Sequence, residues 1–549
     1  MSNNIKYWKG EEELNRDPQF LADQKREFGE ALPLEQALSD EGFELNSNRR
    51  DFLKYFGFSV TAVALASCYK TNVRHAVPYL VKPEEVTPGV ANYYRSTCGG
   101  CSVGCGVEVK VREGRPIKLD GSRDSVISKG GLCATGQASI LSLYDTERLA
   151  HPLMKNQEVE DWSTVDGEIK SKLAVMKATG KKVVLLSNSI NSPSTLRAIA
   201  SFKEAYSNVE HISYDAVSYS GMLDANEKDF GKRAVPHYRF DNAKAIVSFG
   251  ADFLGTWISP VEFQADYAKH RRPDVEGGMS VHIQFESTLS MTGTNADHRF
   301  PMQASKELAY VGTLYNYLAK AKGLAQIPVP NNAELAGNSI EKAANLLLKN
   351  AGKSLVISGS NNPEVQQVIN AVNMLLESYN STIDMVNHSN QFNGSDAAVQ
   401  GAFEGLSKGS IAGVIFYGTN PVFNHNKEWA AAIAKAKLSI SFASTKDETA
   451  AVCQYVAPDN HFLESWSDAE PVNGVIHFTQ PTIAPVFNTR QAQESLLNWA
   501  GALPSTENDP LANKGILTQK TDASSYYLFV RNYWEGILGA AGFQKALEL

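Results

Sequence analysis

Apolar residues along this chain recur with two different periods. From about residue 160, short runs rich in Val, Ile, Leu and Phe alternate with segments whose apolar positions return every three or four residues. The runs include KKVVLLSNS (181–189), AKAIVSFGADF (243–253), MSVHIQFES (279–287), KSLVISGS (353–360), IAGVIFYGTNP (411–421) and LSISFAS (438–444). The helical period appears in STLRAIASFKEAY (194–206), PEVQQVINAVNMLLES (363–378) and KEWAAAIAKA (427–436). A run apolar on both faces and followed by a helix predicts a parallel strand covered on both sides. The expected fold class is therefore α/β, with two doubly wound parallel-sheet units over 151–330 and 331–500. The Pro/Asn-rich IPVPNNAELAGN (327–338) supplies the expected boundary. Ahead of them lies a small β region over 90–150, where VEVKV (107–111) alternates as a strand and EGRPIKLDG (113–121) reads as hairpin plus strand. Residues 1–47 are polar with little apolar periodicity, which predicts a segment that wraps on a partner or stays extended. Residues 501–549 form a C-terminal segment, and its ending, GILGAAGFQKALEL, suggests truncation.

Composition narrows the function classes. The 549 residues carry a formal net charge of -8, with 43% hydrophobic and 20% charged residues. An acidic chain without a basic run is no general nucleic-acid binder. A mean hydropathy of -0.27 and the lack of an 18-residue apolar run argue against a polytopic membrane protein.

A targeting signal lies inward of the N-terminus, at 48–68 within NSNRRDFLKYFGFSVTAVALASC (46–68). Arg49 and Arg50 precede Asp51-Phe52-Leu53-Lys54 and a short apolar stretch from Tyr55 to Ala66, the order of a twin-arginine export signal. The bland alternative is a buried helix behind two surface arginines. Leu65-Ala66-Ser67-Cys68 also resembles a lipobox, which makes Cys68 a weaker candidate for lipidation. Export would place the protein, already folded, at the periplasmic face of a bacterial inner membrane.

Four of the six cysteines fall within 36 positions, as Cys98-x2-Cys101-x3-Cys105-x27-Cys133. A 4Fe-4S cluster needs four converging thiolates, and a tight triplet plus a distant fourth supplies them. Structural zinc usually takes two separated Cys-x2-Cys knuckles, which this spacing lacks. Two disulfides are the structural alternative in an oxidising compartment, and spacing alone leaves it open. Cys453 stands alone in AAVCQYVAP and reads as a buried core thiol.

The quartet, followed by YDTERLAHPL (144–153), resembles the start of the molybdopterin oxidoreductases. Gly418-Thr419-Asn420-Pro421, Asp447-Glu448-Thr449-Ala450 and VAPDNHFLESWSDAEPVNGV (456–475) continue the resemblance in order, so that it spans most of 93–500. The opening IKYWKGEEELNRDPQFLADQKREFGE (5–30), with its displaced signal, resembles the B-subunit family of bacterial alternative complex III. That resemblance implies a quinol-oxidising membrane complex, with membrane-embedded quinol-binding subunits, cytochrome c subunits and a ferredoxin-like iron–sulfur domain as partners.

Four departures argue against a working molybdenum site. Cys133-Ala134-Thr135-Gly136 lacks the Lys or Arg that active relatives carry just after the last cysteine. Ile283-Gln284-Phe285-Glu286 stands where relatives read Ile-Asp-Pro-Arg, and Gln303-Ala304-Ser305-Lys306 replaces a Pro-Gly-Thr-Asp loop. No dinucleotide-completing domain follows residue 500. In DAVSYSGMLDANEKDFG (215–231) Ser218 is a weak molybdenum-ligand candidate, with Ser220 beside it, because surface serines greatly outnumber metal ligands. The expected function is a mainly structural, molybdoenzyme-like subunit of a quinol-oxidising complex, with no molybdopterin and at most one 4Fe-4S cluster. Its cysteines would be ligands, with no catalytic residue of its own. The alternatives are an active periplasmic molybdopterin oxidoreductase with a 4Fe-4S relay, and a disulfide-stapled assembly module. His75, His151 and His461 are isolated and read as hydrogen-bonded structural histidines.

Overall fold

The computed structural model describes residues 87, 89–274, 278–330, 338–505 and 525–548. The N-terminal extension, Arg49, Arg50, Cys68 and His75 lie outside the described residues.

The small β region is a three-stranded antiparallel sheet of β1 (Ala91–Thr97), β2 (Gly106–Arg112) and β3 (Arg115–Gly121). Alternation in β2 drives Val107, Val109 and Val111 inward, each at most 4% exposed. Glu113 and Gly114, at φ 51° and 75°, close the two-residue hairpin turn that such strands favour. The chain continues with β4 (Leu153–Met154), β5 (Gln157–Glu158), β6 (Lys182–Ser187), β7 (Val209–Ser213), β8 (Val235–Tyr238), β9 (Ala245–Phe249) and β10 (Val281–Glu286). Then come β11 (His298–Pro301), β12 (Ser354–Ser358), β13 (Ile383–Ser389), β14 (Ile411–Tyr417), β15 (Leu438–Ser441), β16 (Tyr455–Val456), β17 (Ser467–Val472) and β18 (Val475–Thr479).

Both parallel sheets are doubly wound. The larger has the order β5-β4-β16-β15-β14-β6-β7, parallel from β16 to β7. On one face Val183, Leu185 and Ile415 pack against the helices Trp162–Ala178, Pro193–Ala205 and Ala492–Ala500. On the other, Val184, Leu186, Val414 and Phe416 meet the helices Asp396–Ser407 and Glu428–Ala434. The smaller sheet, β11-β10-β9-β12, is parallel throughout, with Val247, Phe249, Ile283 and Phe285 on one side and Ile246, Leu355 and Ile357 on the other.

Pairing does not follow a division near residue 330. The strand β12, after that point, pairs with β9 before it, while β14 returns to pair with β6. The smaller sheet is thus inserted between strands of the larger. A third sheet, antiparallel in the order β18-β17-β13-β8, goes beyond the two expected units. It joins the small β region to the rest: Thr97 Oγ1 donates to Phe478 O (2.9 Å) and Ser96 Oγ to Gln480 O (3.1 Å). No helix among the described residues is long and apolar enough to cross a membrane.

One buried acid sets a pH response. Glu307, opening the helix Glu307–Ala321, accepts from Ser358 Oγ (2.6 Å), and burial raises its carboxyl to about 7. The native state then binds more protons than the unfolded state between about pH 4.3 and 7. Its contribution is present below the unfolded value and is lost as pH rises through the folded one. Melting across pH 5–8 is expected to show stability falling by on the order of 1–3 kcal/mol, and Glu307→Gln to flatten that fall.

Candidate metal centre

The four clustered cysteines sit on three different local structures. Cys98 follows β1 and Cys105 precedes β2, with the backbone bond from Cys98 N to Cys105 O (2.8 Å) closing the loop between them. Within that loop Gly104 takes φ 68°, and Gly99 lies where a Cβ would come within 2.6 Å of Phe462 Cβ. Cys133 caps the helix Ala134–Leu143, its Sγ accepting from Gly136 N (3.3 Å). Gly100 N lies 3.5 Å from Cys98 Sγ in the same sense. Such N–H donors stabilise thiolate and tune a bound cluster.

The structure brings the quartet together. The Cys98 thiol is pushed up to about 11, chiefly by burial and in smaller part by the neighbouring Cys101 and Cys133. Burial, followed by Cys101, Cys98 and Cys133, raises Cys105. Cys101 rises through burial and the nearby Cys133, although its residue surface opens to solvent. All four are free thiols. Among the described residues no three His, Cys, Asp or Glu side chains converge closely enough to chelate a single ion. A tetrahedral zinc site, with Zn–S near 2.3 Å, would demand that convergence, whereas a cube-shaped cluster holds its thiolates farther apart. The donor set fits a 4Fe-4S cluster: Cys98, Cys101, Cys105 and Cys133 would hold it through thiolate sulfur, and it would supply one-electron transfer.

A cavity of about 340 Å3 runs from this loop to the C-terminal ends of β6 and β14. Cys98, Cys101, Tyr417, Asp459, His461 and Asp468 are among the residues that line it. Among the described residues no Lys or Arg lines it. Asp468 accepts from Trp534 Nε1 (2.6 Å), Ser194 N and Ser192 Oγ. Asp459 accepts from Ala492 N (2.9 Å), and burial raises it to about 7.

The segments around the quartet are locked by a buried ion pair. Arg148 Nη2 lies 2.7 Å from Glu464 Oε2, with the side chains 2% and 0% exposed. Glu464 also accepts from His461 N (2.8 Å) and Val486 N (2.9 Å), while Arg148 Nη1 donates to Leu143 O (2.9 Å). His461 Nδ1 accepts from Leu463 N (3.2 Å), leaving Nε2–H for Ser139 O (3.2 Å). Burial pushes this imidazole down to about 4, so it is neutral at ordinary pH.

The fit to a pterin dinucleotide is poor. Its phosphates need cations, N–H groups and helix N-termini. The helix N-caps Ser192 and Gln491 do line this cavity, but among the described residues no Lys or Arg does. Asp459 and Asp468, when ionised, would repel phosphate, one such contact near 4 Å costing about 4 kcal/mol at an effective dielectric of 20. Gln284, in the Asp position of that stretch, donates to Glu286 Oε2 (3.3 Å). Glu286 also accepts from Ser290 Oγ and Arg299 Nε. A side chain added at Gly293 would meet its carboxylate. Ser218 does not join the quartet. Its Oγ accepts from Ser220 N (3.0 Å), and it lines a separate cleft with Tyr214, Asp215, Asp396 and His425. Cys453 is 4% exposed in the apolar core behind β14. Asn420 of the Gly-Thr-Asn-Pro turn donates to Glu448 Oε2 (2.7 Å) and accepts from Thr449 Oγ1 (2.7 Å). His151 meets Asn488 Nδ2 (3.3 Å). Asp459, Asp468 and the Arg148–Glu464 pair carry no motif that singles them out in sequence.

Residues 91–145 match the Molybdopterin oxidoreductase Fe4S4 domain. The menaquinone reductase molybdopterin-binding-like subunit of Nitratidesulfovibrio vulgaris is 22% identical over 511 residues, covering 83% of this chain and 72% of that one. Formate dehydrogenase 2 subunit alpha (cytochrome c-553) of the same organism is 24% identical over 296 residues, covering 50% of this chain but 28% of its own length. Among solved structures, acetylene hydratase from Pelobacter acetylenicus superposes with a TM-score of 0.61 at 11% identity, over 74% of this chain and 69% of its own, a likeness of fold alone. The cysteine quartet, its domain match and the inserted doubly wound sheets thus agree in making this chain similar to the molybdopterin oxidoreductases.

Proposed function

We propose that this chain is a molybdoenzyme-like subunit of a membrane-bound, quinol-oxidising respiratory complex of the alternative complex III type. It retains the family fold as scaffold, carries at most one 4Fe-4S cluster, and binds no molybdopterin. The observation that carries this is the cavity beside the quartet, where Asp459 and Asp468 face the space and, among the described residues, no Lys or Arg does. The four free thiols favour ligation over disulfide stapling. The relative named for menaquinone reductase, itself called molybdopterin-binding-like, supports a respiratory subunit working beside quinone chemistry. Partners would be quinol-binding membrane subunits, cytochrome c subunits and a ferredoxin-like domain. Arg49 and Arg50 would direct export of the folded chain to the periplasmic face. Extraction from native membranes in mild detergent is expected to bring the chain out with haem-bearing and membrane-spanning subunits, releasing no pterin on denaturation. A chain recovered alone, or one that releases pterin, contradicts it.

An active molybdopterin oxidoreductase is the second reading, favoured by the match to a formate dehydrogenase subunit. It requires Asp459 and Asp468 to accept phosphates as neighbours. Asp459→Lys is then expected to create no pterin binding if the first reading holds.

A further inference from the structure

Asp459 is a titratable group beside the quartet that electron relay alone leaves unused. It follows β16 on a loop clamped to the cysteine segment at three points. His461 Nε2 reaches Ser139 O (3.2 Å) and Ser142 Oγ (3.0 Å), Phe462 lies against Gly99, and Glu464 pairs with Arg148. The Ser139 hydroxyl also meets the Cys98 thiol. The same cavity is lined by Cys98, Cys101 and Asp459, and among the described residues no Lys or Arg lines it.

Other titratable groups lie near Asp459. Asp468, on β17, is pushed up by burial, against the donors from Trp534, Ser192 and Ser194. His461, on the same loop, is neutral, its pKa pushed down to about 4 by burial. Tyr417 of β14 and Tyr526 of the helix Ser525–Leu538 keep their protons through burial. Glu464 and Arg148 satisfy one another. Among the described residues Asp459 has donors from Ala492 N and Asn460 N only, and burial raises it to about 7.

We propose that Asp459 is the proton acceptor coupled to the cluster: one electron entering a cluster on Cys98, Cys101, Cys105 and Cys133 is accompanied by one proton taken from water onto the Asp459 carboxylate. The electron comes from an external one-electron donor, a quinol-derived one in the respiratory reading and dithionite in the test. The proton forms one O–H bond at Asp459, and no other bond changes. Coupling is reciprocal: a reduced cluster raises proton affinity at Asp459, and a proton there raises electron affinity at the cluster. This rests on the reading that the quartet holds a cluster.

The test is a redox titration of the purified, iron-containing full chain with dithionite, followed by paramagnetic resonance from pH 6 to 9, after iron has been counted. Below pH 7 Asp459 is protonated in both states, and the midpoint is expected to be flat. Above pH 7 it is expected to fall by about 59 mV per pH unit, the value for one proton per electron. Asp459→Asn, whose amide oxygen can keep the Ala492 bond, is expected to be flat throughout. A flat wild type, or an unchanged slope in Asp459→Asn, overturns the proposal. Should that variant not hold iron, the wild type's reduced-minus-oxidised infrared spectrum decides: a new protonated-carboxyl band is expected, and its absence overturns the proposal. A chain without iron sinks the cluster reading and the proposal together, whereas iron with a flat midpoint sinks the proposal alone.

Discussion

Cys105→Ser is expected to empty the site of iron. Cys105 is 5% exposed and packs with Cys98, Val107, Leu119 and Leu143 under the three-stranded sheet. Its sulfur cannot be replaced by a neighbour, because the next described cysteine, Cys453, lies in the separate core behind β14. A serine hydroxyl ionises far less readily than a thiol, and burial already opposes charge at this position. Iron should drop from about four per chain to well below one, while Cys453→Ser should leave it unchanged. The raised thiols add a pH dependence. Without metal the Cys98, Cys101 and Cys105 thiols are protonated at neutral pH, so cluster assembly must release protons. Reconstitution of iron-free chain is expected to be more complete at pH 8.5 than at pH 6.5. Equal iron in wild type and Cys105→Ser would remove this cysteine from the ligand set.

The largest stability loss is expected from Arg148→Ala. Truncation leaves the Glu464 carboxylate buried with, among the described residues, only the His461 and Val486 N–H groups as donors. Breaking one side of a buried ion pair costs about 3–5 kcal/mol, well above the 0–1 kcal/mol of an exposed pair such as Arg197–Glu204. Denaturation of the full chain should show that loss, and Arg148→Met combined with Glu464→Gln should recover much of it by removing both charges. Because the pair clamps the 459–464 loop to the cysteine segment, Arg148→Ala should also shed iron faster under a chelator. Gly99→Ala tests the same contact from the other side: its Cβ would lie 2.6 Å from Phe462 Cβ, and overpacking of this kind costs about 1–3 kcal/mol.

Strands such as VVLL, AIVSF and GVIFY are legible in sequence because both of their faces are buried and both must be apolar. Their partners are not, since pairing is decided between segments hundreds of residues apart: β6 meets β14, and β9 meets β12 across the boundary expected at 330. The antiparallel sheet escapes because VPHY and IDMVNHS mix polar and apolar residues without a clear period. At the site, the quartet is legible because cluster geometry constrains spacing, and residues 91–145 match the corresponding domain. Ser218 looks plausible in a string but lies in another cleft, because nothing local fixes where the loop after β7 turns. Arg148 and Glu464 each fall in segments that resemble the family, yet their pairing spans 316 positions and only the fold makes it. Asp459 has the same limitation: its importance comes from the cavity it faces.

The most direct test of the central claim is iron and molybdenum per chain, measured on the native complex extracted in mild detergent. The scaffold account predicts no molybdenum and, from this chain's quartet, about four irons at most. Molybdenum near one per chain would contradict it and return the fold to working molybdoenzyme chemistry.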